Sequence, residues 1–384
     1  MKVSTFIKKY TMILALVVVF IFFSFLTGGR LTYAQNISNL LLQNAYVLVM
    51  ACGMLLCILT GGNVDLSVGS TLCLSAALSA KLMQGGASAA VAIIASLAVG
   101  ALIGIWQGYL VGYVHIPPFI CTLAGMFLWR GVARVILDSK TISIQNKAFL
   151  NLFTSYIQLP GEKKQNYMSA LIVGIIVAVL VTFFALRGRA RQKKNGTASG
   201  SFAGLVVRLV LIDVLIVVYS NKLRQYKGIP IMLIWILAVV FIFAFLTSST
   251  VFGRYFYAVG GNEKATKLSG IDPRRVYFWA YFLMSCLAGL SGLLMGARIG
   301  SVDGQMGNSF EMDAIASCFI GGASAYGGSG TVPGIMVGAI LLGVINQGMS
   351  IYGLSDSWQY VVKGAVLLAA VVFDVVSNHK TGKS

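Results

Sequence analysis

Long runs of uncharged, apolar residues constrain this chain more than anything else in it. Windows of about twenty residues, the length that crosses a bilayer as a helix, fall near 10–28, 40–60, 67–84, 88–113, 117–137, 167–187, 203–220, 229–247, 276–297, 311–330, 333–350 and 357–375. Backbone in hydrocarbon has to satisfy its own hydrogen bonds, so each run reads as a helix. The expected fold class is all-α, a polytopic transmembrane helical bundle of about 10–12 spans. The runs at 67–84 and 311–330 are the weakest and are expected not to cross fully.

Composition agrees. Of 384 residues 58% are hydrophobic and 10% charged, against about 25% charged in a soluble domain. Segments between the runs are too short to hold a soluble domain, so residues 1–384 read as one transmembrane domain. A net charge of +18 would suggest nucleic acid in a soluble protein. Here the basic residues sit at span ends and in loops, where they set orientation and meet anionic lipid. An even span count places both termini in the cytoplasm. Lys2, Lys8, Lys9, Lys380 and Lys383 would then share that side with Arg187, Arg189, Arg191, Lys193 and Lys194. The same orientation puts Lys140, Lys147, Lys163, Lys164, Lys222, Arg224 and Lys227 outside, against the positive-inside bias. Near the N-terminus, Thr32-Tyr33-Ala34 is a weak cleavage site. The run from Thr11 to Leu26 exceeds a typical signal core, so an uncleaved first span is expected. The six cysteines lie within or beside apolar runs, away from metal-ligand spacing with histidine, and read as packing residues.

The longest polar interruption of the second half runs over 248–275. It holds a short helix with both ends marked: Asn262 to cap the start, Glu263 at the positive dipole end, then Gly270 and Pro273 to stop it. Glu263 and Lys267 have the spacing of a surface pair, and Ala265, Leu268 and Ile271 form an apolar ridge. About two turns of helix cannot stand alone in water. The segment therefore reads either as a docking knob for a soluble partner or as a loop whose charges fix topology.

Two places break the membrane pattern alike. Met50–Thr60 ends in Gly61-Gly62 and the polar stretch to Ser70. Asp313–Ile320 ends in Gly321-Gly322 and the Gly-rich stretch to Thr331. Paired breaks mark unwound helices along a transport path in repeat-built carriers, or close packing through glycine. On the first reading they approach each other near the membrane middle, with Asn63, Asp65, Ser67, Ser70 and Ser324 in the lining. Asp65 is an intramembrane carboxylate and a functional candidate on that ground. It is equally placed to cap the next helix, as is Ser67. Lys363 and Asp213 also fall within apolar runs. The amides Asn44, Gln107, Asn346, Gln347 and Gln359 suit a neutral polyhydroxylated cargo, and equally suit interhelical contacts.

Catalytic and metal residues are not expected. The chain has two histidines, His115 and His379, and no HExxH or GxSxG pattern. Its end, Thr381-Gly382-Lys383-Ser384, has the look of a phosphate-loop tail. Ser377 stands where the first glycine belongs, so no ATP site is expected in this chain.

Five stretches resemble the permeases of bacterial ATP-driven sugar importers, within the ribose and branched-chain amino-acid permease superfamily. They are GGNVDLSVGS at 61–70, IPPFICTLAGMFLWRG at 116–131, GRYFYAVGGNEKATKLSGI at 253–271, EMDAIASCFIGGASAYGGSGTVPG at 311–334 and NQGMSIYGLSDSWQYVVKGAVLL at 346–368. The extra pair of spans at 167–220, with its basic loop RGRARQKK, resembles the xylose and multiple-monosaccharide branch. The resemblance implies a homodimeric permease without a cofactor of its own. A cytoplasmic ATPase subunit would bind the ATP, and an extracytoplasmic binding protein would deliver a monosaccharide. It also implies that Asn262, Glu263, Lys264, Ala265, Leu268 and Gly270 seat in the ATPase, although Lys264 stands where the wider signature has alanine. The translocation path would be lined by Asn63, Asp65, Ser67, Ser70, Ser324, Asn346 and Gln347. The rival is an ion-coupled carrier, for which Asp65 or Asp213 would have to titrate.

Overall fold

The computed structural model describes residues 3–162, 166–195 and 202–380. Lys2, Lys163, Lys164 and the Thr381–Ser384 tail lie outside them. The apolar windows are helical. In order they give α1 (Val3–Leu26), α2 (Ala34–Gln43), α3 (Ala45–Leu59), α4 (Val68–Gln84), α5 (Ala89–Gly112) and α6 (Pro118–Ile136). A short α7 (Lys147–Thr154) lies between the two-residue strands β1 (Ile142–Ser143) and β2 (Tyr156–Ile157). Then come α8 (Met168–Lys194), α9 (Phe202–Arg224), β3 (Ile229–Pro230) and α10 (Ile231–Ser249). The chain ends with α11 (Val251–Gly261), α12 (Glu263–Leu268), α13 (Pro273–Ile299), β4 (Ser301–Val302), α14 (Phe310–Ile320), α15 (Val332–Tyr352) and α16 (Asp356–Lys380). Eight segments among the described residues are long and apolar enough to cross a bilayer, with α2 and α3 counted as one broken at Asn44. The window at 311–330 shrinks to the eleven residues of α14, and α4 has seventeen. Neither is among the eight.

Two compact units divide the chain. Residues 29–39 and 155–231 form one. In it α8 and α9 pack where Gly174 leaves room for Ser220, and Thr182 donates to Asp213 Oδ2 at 2.6 Å. That bond gives a carboxyl group within an apolar helix a partner. The antiparallel pair β2–β3 closes the end of the unit.

The remaining residues form the larger unit, with α3 and α13 at its centre. Every residue of α3 is buried. Glycines at four-residue intervals on α5 lay that helix directly on α13. Gly112, Gly108, Gly104 and Gly100 face Arg274, Phe278, Phe282 and Ser285 in turn. The helices are antiparallel, and the seam is a repeated small-xxx-small contact of the kind that lets helix backbones approach in lipid. Gly53, in the middle of α3, packs on Met284 and Leu287. Outward faces are apolar instead of charged, with Phe127, Phe241 and Phe245 all exposed. Such a surface is at home in hydrocarbon and not in water.

The half-length helices are placed by their contacts. Leu72 and Ala76 of α4 face Gly292 and Gly296, so α4 runs alongside the second half of α13. Its first turn is level with the middle of that helix. Gly69 in this turn is crowded by Gly307 and Glu311, at the start of α14. The N-terminal ends of α4 and α14 therefore meet inside the bundle.

Candidate functional site

At one end of α13 the capped helix takes shape. Thr250 Oγ1 accepts from Gly253 N at 2.9 Å and starts α11. Asn262, extended at φ −163°, accepts from Ala265 N at 2.9 Å and starts α12. Gly270, at φ +85°, ends it in the left-handed region that favours glycine. Asp272 Oδ1 accepts from Arg274 N at 3.1 Å and opens α13. One expectation is corrected. Glu263 makes no ion pair with Lys267. The Tyr277 hydroxyl donates to Glu263 Oε2 at 2.9 Å, because the first turns of α12 and α13 lie together. The apolar ridge divides: Ala265 is exposed and Leu268 is 90% exposed, while Ile271 is half-buried against the core. The anchoring residue is Thr266, buried, whose hydroxyl reaches the Ala258 and Asn262 carbonyl oxygens at 2.8 Å. Hydrogen bonding to α11 takes the place of an apolar seat. Beside α12 lies a cleft of about 310 Å³, lined by Lys267, Arg274, Asp272, His115 and Asn63. Lys264 is exposed beyond it.

The two Gly-rich breaks touch. Gly328 N donates to the Leu59 carbonyl at 3.0 Å. A β-carbon on Gly62 would collide with the Ala325 carbonyl, and one on Gly327 would sit 2.5 Å from Gly61 Cα. Gly260 of α11 joins them, lying against the Leu59 carbonyl and Gly328 N. The Tyr257 hydroxyl donates to the Gly330 carbonyl at 2.9 Å. Contact occurs on the side of the bundle that carries α11. Three backbone segments pack there because none carries a side chain in the way. Ser324 spends its hydroxyl on its own turn, accepting from Tyr326 N at 3.2 Å. Asn63 donates to the Thr60 carbonyl at 3.1 Å.

Asp65 and Ser67 lie deeper. Asp65 is fully buried, and its Oδ1 accepts from Ser67 N at 2.8 Å and Ser67 Oγ at 2.6 Å. It holds this turn closed, while Ser67 is the N-cap residue of α4 and makes no side-chain cap bond. Gln107 Nε2 donates to Ser67 Oγ at 2.6 Å, and Ser285 Oγ donates to Gln107 Oε1 at 3.2 Å. A polar chain thus runs from the break across α5 to the middle of α13. Asp65 Oδ2 and the Ser70 and Thr71 hydroxyls are buried without a hydrogen-bond partner. Asn346 and Gln347 are on α15, the second of them buried.

Asp313 is a buried site residue that no local motif singles out. It is 1% exposed, and its Oδ2 accepts from the Tyr46 hydroxyl at 2.7 Å and from Lys363 Nζ at 3.0 Å. The usable signal was an acid and a base in separate apolar runs, each needing a partner. The six cysteines are free thiols.

The chain is similar to known proteins along most of its length. The family described as branched-chain amino acid transport system / permease component matches residues 36–371. The xylose transport system permease protein XylH of Escherichia coli (strain K12) is 33% identical over 376 residues, 98% of this chain and 93% of that one. XylH of Haemophilus influenzae (strain ATCC 51907 / DSM 11121 / KW20 / Rd) is 34% identical over 378 residues, 97% and 98% of the two chains. The ribose import permease protein RbsC of Escherichia coli (strain K12) is 33% identical over 341 residues, 88% and 85%. No solved structure matches.

Proposed function

This chain belongs to the branched-chain amino acid transport permease family, and from that premise we propose that it is the membrane subunit of an ATP-driven monosaccharide importer. Its cargo is a sugar of the xylose, arabinose or galactose kind. The carrying observation is the likeness to xylose permeases over 98% of the chain, α8 and α9 included. The protein sits in a bacterial cytoplasmic membrane with both termini inside. It works as a homodimer, and a separate cytoplasmic subunit binds and hydrolyses ATP. An extracytoplasmic binding protein delivers the sugar.

The geometry of α12 supports this division of labour. Asn262 and Gly270 fix its ends, Thr266 fixes its inner face, and Lys264, Ala265 and Leu268 are left outward. A leucine 90% exposed on a rigid, capped turn is a contact residue waiting for a partner. Alternating access then amounts to α12 moving with the ATPase and carrying α11 with it. Gly260 of α11 bears directly on Leu59 and Gly328, so that motion reaches both breaks. Buried Asp65 and Ser67 keep the path polar.

Proteins that co-purify with the chain, reconstituted with it into vesicles, test the proposal. Labelled xylose should enter when ATP is supplied on the α12 side and should not respond to an imposed ion gradient. Uptake driven by a proton or sodium gradient without ATP would overturn it in favour of an ion-coupled carrier.

A further inference from the structure

The end of α13 away from α12 opens into a second cavity, of about 440 Å³. Its walls are built by a re-entrant segment. Strand β4 pairs with β1 and pins the chain at that end, with Val302 opposite Ile142. The chain then turns back inward. Asp303 Oδ1 accepts from Gln305 N at 2.9 Å and Met306 N at 2.8 Å, and the Arg130 guanidinium donates to the Met306 carbonyl. Gly307, at φ +75°, brings the segment against Gly69. Fixed in this way, the segment presents Gln305 and Asn308 to the cavity, both exposed. Among the described residues, neither side-chain amide has a hydrogen-bond partner. Phe310 and Tyr360 add aromatic surface.

We propose that this cavity is where the sugar is received before it crosses, an inference that rests on the sugar-importer reading above. Each amide both donates and accepts, as a ring of hydroxyl groups requires, and the Asp303 carboxylate accepts further bonds through Oδ2. Few polar groups beside aromatic walls, in a cavity of this size, suit a small neutral polyol. The cleft beside α12 differs in kind: Glu263, Lys267, Asp272 and Arg274 give it charges of both signs, which suit a protein surface. Below the reception cavity, Phe310 stacks on Tyr46 with ring centroids 3.7 Å apart. The Tyr46 hydroxyl is bonded to Asp313, and Lys363 follows Tyr360 by one turn on α16. The cavity floor is therefore continuous with a buried polar cluster inside the bundle.

Cysteine in place of Asn308 tests this in cells that make the complete importer. Five of the six native cysteines are buried and Cys286 is half-buried, so the unsubstituted protein should not react with a membrane-impermeant thiol reagent. Asn308→Cys should react from outside, lose xylose uptake on reaction, and react several-fold more slowly while xylose is being transported. A zwitterionic solute of similar size should give no protection. Separately, Asn308→Ala and Gln305→Ala should each lower uptake at limiting xylose about fivefold, the worth of a neutral hydrogen bond, with recovery at saturating sugar. If Asn308→Cys does not reach the membrane, Gln305→Cys takes its place with the same readouts. Reaction without loss of uptake or protection, or reaction from the cytoplasmic side alone, overturns the proposal while sugar import stands. A wild-type chain that imports no sugar overturns both.

Discussion

Lys363 on α16 donates to Asp313 on α14 across 3.0 Å, and it does so inside the bundle, where Asp313 is 1% exposed. Tyr46 of α3 supplies a second donor to the same oxygen. Three helices are tied at one carboxylate. Such a pair contributes little net stability against an apolar replacement, but breaking it strands a charge.

Removing one partner should therefore cost more than removing both. Lys363→Met leaves Asp313 buried with Tyr46 alone and should destabilise the protein by about 3–5 kcal/mol. Lys363→Met combined with Asp313→Leu should lie closer to wild type than Lys363→Met does. Thermal melts in nanodiscs read both. A double variant less stable than Lys363→Met would show that the Asp313 carboxylate, left with Tyr46 alone, is not a stranded charge.

Neighbouring glycines of α11 should behave oppositely. A β-carbon at Gly260 meets the Leu59 carbonyl, a backbone atom that cannot swing aside, whereas one at Gly261 meets nothing within 4 Å. Gly260→Ala should cost about 1–3 kcal/mol by overpacking. Gly261→Ala should be neutral or slightly stabilising. Folded yield after detergent extraction separates them, and equal yields would mean that the three-segment junction yields to an added methyl group.

Two changes probe the partner contact of α12. Leu268→Glu alters a side chain 90% exposed, so folding should change by no more than about 0.5 kcal/mol while the ATPase subunit is lost on purification. Gly270→Val forces a β-branched residue to φ +85° in open space, a local strain of about 1–3 kcal/mol that shifts α12 but spares the bundle. Transport should uncouple from ATP hydrolysis in that variant. Normal co-purification and sugar-stimulated hydrolysis in both would remove α12 from the interface.

At Asp65 the shape of the acceptor should matter more than its charge. Asp65→Asn keeps an oxygen for Ser67 N and Ser67 Oγ and should retain partial transport. Asp65→Leu loses both bonds, about 1 kcal/mol each, and should not transport. Uptake per folded molecule is the measurement. An ion-coupled path through this carboxylate would instead lose transport in both variants.

What the sequence determined by itself was local. Apolar runs dictated membrane helices, because hydrocarbon leaves the backbone no other partner. Asn262 and Gly270 marked the ends of α12, because a cap depends on residues three or four positions away. The glycine pairs at 61–62 and 321–322, each ending an apolar run, announced breaks in the same local way.

Pairing was decided by the tertiary structure. Helices apolar all round carry no stripe to say which face turns inward. In the charged α12 the apolar ridge pointed to Leu268, and only the place of α11 beside it makes Thr266 the anchor. Local spacing favoured Lys267 for Glu263, yet Tyr277 of the next helix lay nearer in space. Asp313 and Lys363, fifty positions apart, acquire their meaning only when α14 and α16 are set side by side. The same holds for Gly69 and Gly307, whose contact brings two half-helices end to end inside the bundle. Close packing in three dimensions, and not any one-dimensional period, made those choices.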